Sequence, residues 1–286
     1  MAKRKLASWE VSDEFWKRVE PWIPVRQRAE DKDYVRKPGG GRKPKEARVV
    51  FEAVMYVLRT GCQWKALPRE CFGSASAIHQ RFLEWERAGV FLRLWQAGLA
   101  EYDDMEGIAW RWQSVDGAMM KAPLAQESVG PNPTDRGKKN GSKRMLLVDA
   151  RGLPLSIIVT GANRHDVTQL EPVLDTVAVA RPKASTRAPQ HLCADAGFAG
   201  QPAEQAMRKR HYIPHVRPRG VEASERTKGK KPRRWVVEVA HSWFNRFRKL
   251  LVRYEKLHRS FLALNMLAAA VICFRKVPAK INIIYG

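Results

Sequence analysis

Near residue 110 the spacing of apolar residues changes from alternating threes and fours to twos, and that change divides the chain into a helical part and a strand-built part. Upstream, Ser12 followed by Asp13 and Glu14 reads as an N-cap with acids in the first turn, ahead of Phe15, Trp16 and Val19. Residues 46–60, "EARVVFEAVMYVLRT", carry a wide apolar stripe and stop at Gly61. Residues 74–89 start at a Ser cap and end at Gly89, and "VFLRLWQAGLAEYDD" follows as a further helix. A helix, a turn holding Trp64 and Pro68, and a second short helix exposing His79, Gln80 and Arg81 fit a helix-turn-helix reader of DNA. A plain helical bundle fits the same pattern equally well.

Downstream, 108–117, 143–152 and 153–161 are strand-like, the last two joined by a tight Arg-Gly turn that makes a hairpin. A helix over 166–180, a strand at 190–195, a short helix at 201–210 and a strand at 211–218 follow. A long helix over 234–257 carries Val236, Ala240, Trp243, Phe247, Leu250, Tyr254 and Leu257 as one buried stripe. This order predicts the α/β class: a hairpin-bearing mixed sheet flanked by helices behind an all-helical N-terminal domain. A right-handed crossover would set the ends of the first and fourth strands side by side.

Those two ends carry acids, Asp116 in "SVDG" and Asp195 in "CADAGF", and Glu238 lies one turn into the long helix. Ser242, Asn245 and Lys249 continue its polar face. Three converging carboxylates repel one another unless a cation neutralises them. An all-oxygen donor set favours a hard ion, Mg²⁺ or Mn²⁺. Two such ions roughly 4 Å apart suit an in-line phosphoryl transfer. For any one of these acids alone, capping a helix or a turn is the simpler role.

Lys and Arg number 52 against 29 Asp and Glu, a formal net charge of +23, which points to a polyanionic partner, double-stranded DNA before an acidic membrane. The longest apolar stretch, 263–274, is too short to span a bilayer. The start "MAKRKLASWEVSDEFW" lacks the apolar segment of a secretory signal, and Cys62, Cys71, Cys193 and Cys273 lack metal-site or disulfide spacing. Reduced thiols in the cytoplasm are the expectation.

Two basic intervals stand out. "RKPGGGRKPKEAR" (36–48) reads as a linker, or as an arm placing Arg42 and Lys43 in a minor groove. Between Met207 and Arg234 lie eleven Lys and Arg, among them Lys228, Lys230, Lys231, Arg233 and Arg234, a phosphate-tracking surface or a solvated loop. Arg136, Lys138, Lys139, Lys143 and Arg144, before or at the start of the second strand, are further DNA contacts by the same logic. Asp149 reads as a turn acid of the hairpin, Asn163 as a helix cap, and His165 as structural or as an assistant to the site. His241 is placed to hydrogen-bond Glu238 or to face DNA.

"SVDGAMMKA", residues 133–174, "ADAGF" and "RRWVVEVAHSWFNRFRKLLVRYEK" together resemble bacterial insertion-sequence transposases of the DDE type, in the group of insertion sequence family five. "SDEFWKRVEPWIP" and "VMYVLRTGCQWKALP" resemble that group's N-terminal region, so the likeness runs over roughly 10–275. It implies an RNase H-like catalytic domain over 108–275, a helical DNA-binding or oligomerisation domain over 1–107, and a tail at 276–286. It also implies Asp116, Asp195 and Glu238 as a catalytic, metal-binding triad using Mg²⁺, with Mn²⁺ as substitute. Such proteins bind terminal inverted repeats, cut element ends and join the 3′-hydroxyl to target DNA, as oligomers on DNA, here expected to be a dimer in a bacterial, nucleoid-associated setting. A DNA-binding relic without catalysis is the alternative. The related signature has Tyr and Arg before the Glu and a basic residue seven after it. Arg234 fits, but Lys231 stands at the Tyr position and Asn245 at the basic one, with Arg246 next.

Overall fold

The computed structural model describes residues 9–25, 44–216 and 233–277. The helical part holds α1 (Asp13–Val19), α2 (Ala47–Thr60), the single turn α3 (Arg69–Phe72), α4 (Ala75–Arg87) and α5 (Val90–Glu106). Its caps are local. Ser12 Oγ accepts from the Phe15 amide at 3.1 Å, Ser74 caps α4, and Gly61, at φ +75°, ends α2 in the left-handed region that only glycine enters without strain.

Six strands follow: β1 (Trp112–Lys121), β2 (Gly130–Pro131), β3 (Asn140–Asp149), β4 (Pro154–Gly161), β5 (His191–Ala194) and β6 (Ile213–Val216). β1 is central. β3 runs antiparallel beside it with β4 beyond, while β5 and then β6 run parallel on its other side. With β3 antiparallel to β1 and β4 antiparallel to β3 on one side, and β5 and β6 parallel to β1 on the other, the strand order and directions make the sheet RNase H-like. Between strands run α6 (Asp166–Asp175) and α7 (Gln201–Lys209), and after them α8 (Trp235–Asn245) and α9 (His258–Lys276).

Strand alternation divides the helices between two faces. On β3, Lys143 reaches Asp166 of α6. Its neighbour Arg144 reaches His241 and Phe244 of α8 and Asn265 of α9 on the opposite face. α9 is buried over most of its length between α5 and the sheet, so the apolar stretch 263–274 is core. Among the described residues no helix is long and apolar enough to cross a membrane. One hydrophobic cluster runs from Phe15 and Phe51 through Trp95 to Val115 and Phe274, joining the helical part to the sheet.

Two expectations are corrected. The first strand extends to Lys121, so Asp116 sits mid-strand and Gly117 makes no turn. A Cβ on Gly117 would stand 2.7 Å from Met145 Sδ and 3.1 Å from Lys143 Cδ, so the glycine serves close packing against β3. The helix expected over 234–257 stops at Asn245, and Phe247 leaves helical geometry at ψ 97°. The chain turns back to β1, where Val252 bridges Lys121 and the Arg253 amide donates to the Lys121 carbonyl at 2.8 Å. Pairing with the end of β1 overrides the apolar stripe, and the last part of that stripe points outward: Tyr254 is half exposed. α8 buries Val237, Ala240, His241 and Phe244 instead.

Candidate active site

Asp116, Asp195 and Glu238 come together over the α8 face of the sheet. Trp112, Ser114 and Asp116 alternate onto that face, and the parallel register Ser114↔Cys193 brings His191, Cys193 and Asp195 beside them. Burial first, then the neighbouring Asp195 and Glu238 carboxylates, push the Asp116 carboxyl up to about 6, against the opposing pull of the Gly117 amide and Arg234. A cation held nearby favours the charged form of such a carboxyl.

Arg234 supplies one. Its Nη1 lies 3.7 Å from Asp116 Oδ2 and its Nη2 2.9 Å from Glu238 Oε1, so one guanidinium spans two of the three acids. Asp195 follows β5 and accepts the Gly197 amide on Oδ1 at 2.8 Å, capping the turn Ala196–Phe198, which fully buried Phe198 anchors. The turn-capping role and a ligand role are compatible, because among the described residues Oδ2 accepts no hydrogen bond. The three carboxylates fit a hard divalent ion in chemistry. Among the described residues no group of three or more acids, histidines or cysteines stands at ligand spacing, and Arg234 bridges two of the acids instead.

The expected DNA contacts fall into three groups. Arg136, Lys138 and Lys139 are exposed on the β2–β3 loop, Asn245 and Arg246 are exposed at the end of α8, Gln80 is exposed on α4, and Arg233 lies outside the sheet with its guanidinium 4.2 Å over the Trp112 ring. Arg42, Lys43, Lys228, Lys230 and Lys231 lie outside the described residues.

The third group is interior, and there the expectation of DNA contact is corrected. Because β3 begins at Asn140, Lys143 and Arg144 are core residues of a central strand. Lys143 Nζ pairs with Asp166 Oδ1 at 2.6 Å and donates to the Arg164 carbonyl at 2.7 Å. Arg144 is fully buried, with its pKa drawn down by burial to about 9. Lys249 is buried in a pair with Glu255 at 3.1 Å and donates to the Cys62 carbonyl. Glu255 also accepts from Trp64 Nε1 at 3.2 Å, and Trp64 stacks on His79 at 4.7 Å. His79 is thereby half buried in a seam with the sheet-bearing part, and Arg81 pairs with Glu84 on its own helix.

His241 makes no hydrogen bond to Glu238. It is buried against Arg144, and burial, helped by that neighbouring charge, holds its pKa down at about 3 and the ring neutral. Asn163 is not the cap of α6, a place held by His165; it fills the space that Gly130 and Gly161 leave. Asp149 is the turn acid expected, accepting the amides of Arg151 and Leu153 on Oδ1 and of Ala109 on Oδ2.

Asp166 was missed as a site residue. Its Oδ1 is 3.2 Å from where a Gly117 Cβ would stand and its Oδ2 3.6 Å from the Gly197 equivalent, so the Lys143–Asp166 pair backs both the mid-strand glycine and the Asp195 turn. The clue was an acid opening a helix in a chain with a large excess of basic residues. Its partner could not be read, because pairing depends on which face Lys143 takes.

Comparison with known proteins gives the family of the chain. Residues 11–95 match the family described as "Putative transposase of IS4/5 family", and residues 113–273, more than half of the chain, match the family "Transposase DDE domain". The "Putative transposase for insertion sequence element IS402" of Burkholderia cepacia is 39% identical over 48% of this chain and 65% of its own length, so this chain aligns with just under two thirds of that relative. The "Insertion element IS402 uncharacterized 16.2 kDa protein" of the same organism is 30% identical over 43% of this chain and 80% of its own length. Among solved structures, the catalytic domain of Mos1 mariner transposase overlaps 65% of this chain and 91% of its own at 8% identity with a TM-score of 0.29. A pre-cleavage Mos1 transpososome overlaps 87% and 82% at 14% identity with a TM-score of 0.26. Scores of that size do not establish a shared fold, which rests here on the strand order. The two family matches follow the division between helical part and sheet, and the second spans all three acids: the chain belongs to the DDE transposase family.

Proposed function

We propose that the protein is a DNA transposase that binds the terminal inverted repeats of an insertion sequence, cuts the DNA at the element's ends and joins the freed 3′-hydroxyl to target DNA. The observation that carries this is the convergence of Asp116, Asp195 and Glu238 on one face of the sheet, with Arg234 spanning Asp116 and Glu238. In each step one phosphodiester P–O bond breaks as another P–O bond forms, and the leaving oxygen departs as an alkoxide that takes up a proton. Mg²⁺ or Mn²⁺ held by the three carboxylates would supply Lewis acidity toward the scissile phosphate.

The chain's own groups do the rest. Asp195 is set by the Gly197 amide, and the Lys143–Asp166 pair stands behind that turn. Arg234, already between two acids, moves from carboxylate to a phosphate oxygen as the substrate arrives, a bidentate exchange to which a guanidinium is suited. Exposed Arg136, Lys138, Lys139, Arg233, Asn245 and Arg246 hold flanking backbone. The protein works as an oligomer on DNA, a dimer being the smallest assembly that pairs two ends.

The test is strand joining on a labelled duplex carrying the element's own ends, with Mg²⁺ or Mn²⁺, for the wild type and Asp195→Ala. Joined product lost in the variant while duplex binding persists is the expected result. A drop of about a thousandfold or more corresponds to the several kcal/mol of charge stabilisation that such a site supplies. Binding without cleavage by the wild type on authentic ends, with either metal, identifies a DNA-binding relic.

A further inference from the structure

The ends of β1 and β5 opposite the acid cluster open onto a second basic site. A cavity of about 500 Å³ lies between Trp110–Arg111, leading into β1, and the segment 182–190, leading into β5. Arg111, Lys183 and Arg187 line it beside the Trp110 ring, and its lining includes no carboxylate. None of these three cations makes an ion pair among the described residues. Arg181, from the same segment, shows what a structural arginine looks like here. It lies 3.5 Å over the Tyr212 ring, and it donates to the Gln190 side chain at 2.5 Å and to the Arg210 carbonyl at 2.8 Å.

The cavity wall is fixed from behind. Buried Gln190 donates to the Pro182 carbonyl at 2.8 Å and accepts from Gln113 Nε2 of β1 at 3.1 Å, and Gln113 accepts the Tyr212 hydroxyl at 2.9 Å. The interior hydrogen bonds of Gln113, Gln190 and Tyr212 hold a loop whose outward cations make no ion pair among the described residues, which is the arrangement of an anion site, preorganised on its protein side.

Its position says which anion. Five residues of β1 separate Arg111 from Asp116, about 17 Å at strand rise. That is about half a turn of B-DNA, whose repeat is about 34–36 Å. Between the two sites Arg233 covers Trp112, Trp112 stacks on His191 at 4.1 Å, and Arg111 and Arg233 both lie near enough to His191 to help burial lower its pKa. The cations therefore continue along the β1–β5 seam from the acids to the cavity.

We propose that the cavity lined by Arg111, Lys183 and Arg187 is a DNA phosphodiester site that holds the duplex backbone about half a turn from the bond undergoing reaction. This rests on the transposase reading above. The site positions the duplex along β1 and touches no reacting atom, so it carries affinity and register rather than chemistry.

The test compares the full-length wild type, Asp195→Ala and the triple variant Arg111→Ala/Lys183→Ala/Arg187→Ala, on a duplex extending more than a turn on both sides of the element end. For each phosphate no longer gripped, the dependence of log binding constant on log salt should flatten by about 0.9. Blocking one phosphate by ethylation about half a turn from the joint should weaken wild type and Asp195→Ala but leave the triple variant unaffected. Arg187→Lys should keep the wild-type slope, since a point charge suffices for a phosphate. An unchanged slope in a triple variant that binds overturns the site. So does a changed oligomeric state with unchanged DNA contacts, which would assign the cavity to an acidic segment of a second copy. If the wild type itself binds no duplex, the transposase reading falls and the site falls with it, a result distinct from the other two.

Discussion

Lys143 and Arg144 are neighbours on one central strand, both buried, and they meet opposite fates. Lys143 points toward α6, where Asp166 neutralises it at 2.6 Å. Arg144 points toward α8 and α9, where it finds Asn265 Oδ1 at 3.3 Å, His241 Nδ1 at 3.4 Å and the Phe244 ring at 4.6 Å, but no carboxylate among the described residues. Its Nε and the Nε2 of His241 have no hydrogen-bond partner among those residues. The side with an internal acid is a closed structural pair. The side without one is the face on which Asp116 and Asp195 lie. The acids of that face belong to the site and leave the interior cation unneutralised beneath it.

Breaking the closed pair should have the largest effect. Lys143→Met leaves Asp166 facing the sheet without its cation, and removing one partner of a buried pair costs about 3–5 kcal/mol. Because Asp166 keeps some solvent contact, the lower end of that range is expected in urea denaturation. Asp166→Leu in the same background should recover much of the loss, whereas two losses that simply add would show that the pair is not coupled. The Asp195 turn packs against this pair, so strand joining should fall further than global stability alone explains.

That contrast also marks where the sequence could be read. Period and caps gave the helical part, with Ser12, Ser74 and Gly61 used as expected, because caps act over three or four residues. Element order made the strands of Asp116 and Asp195 parallel neighbours, as β1 and β5 are, while the joint role of these acids with Glu238 is what the family resemblance implies. The basic residues were not legible individually. Lys143, Arg144 and Lys249 have the composition of a DNA-binding surface, and only the start of β3 at Asn140 and the break of the last predicted helix at Phe247 turn them inward. The break was hidden because the apolar stripe runs past it, and pairing of Val252 and Arg253 with the end of β1 is a long-range event that no local window contains.

A second closed pair extends the comparison. Lys249 and Glu255 are both nearly buried and link Cys62 and Trp64 of the helical part to the segment after α8. Lys249→Met should cost about 2–3 kcal/mol, a little less than Lys143→Met because Trp64 Nε1 still donates to Glu255. Its mark should be local. Hydrogen exchange should rise at 61–67 and 248–256 before it rises in β1 and β3. Uniform loosening of the sheet would show that the seam is not a separate latch.

Arg144→Met should have the smallest effect, since the guanidinium bears a desolvation penalty without a carboxylate in return. Its removal relieves that penalty but leaves Asn265 Oδ1 and His241 Nδ1 without a donor, and hydrogen bonds of this kind contribute about 1 kcal/mol each. The two effects nearly cancel, so a net change within about 1 kcal/mol is expected, against the several lost at Lys143. The pH dependence separates this from a simple packing change. Burial draws the folded-state pKa of Arg144 to about 9, below its ordinary value of 12.5, so the unfolded chain holds the proton more tightly. Stability then rises as pH increases through about 9, and the wild type should show this rise more strongly than Arg144→Met. A destabilisation of about 3 kcal/mol or more in the variant, the size seen when a buried pair is broken, with the same pH dependence as wild type, would mean that the guanidinium is neutralised in the fold. The difference between the two faces would then disappear.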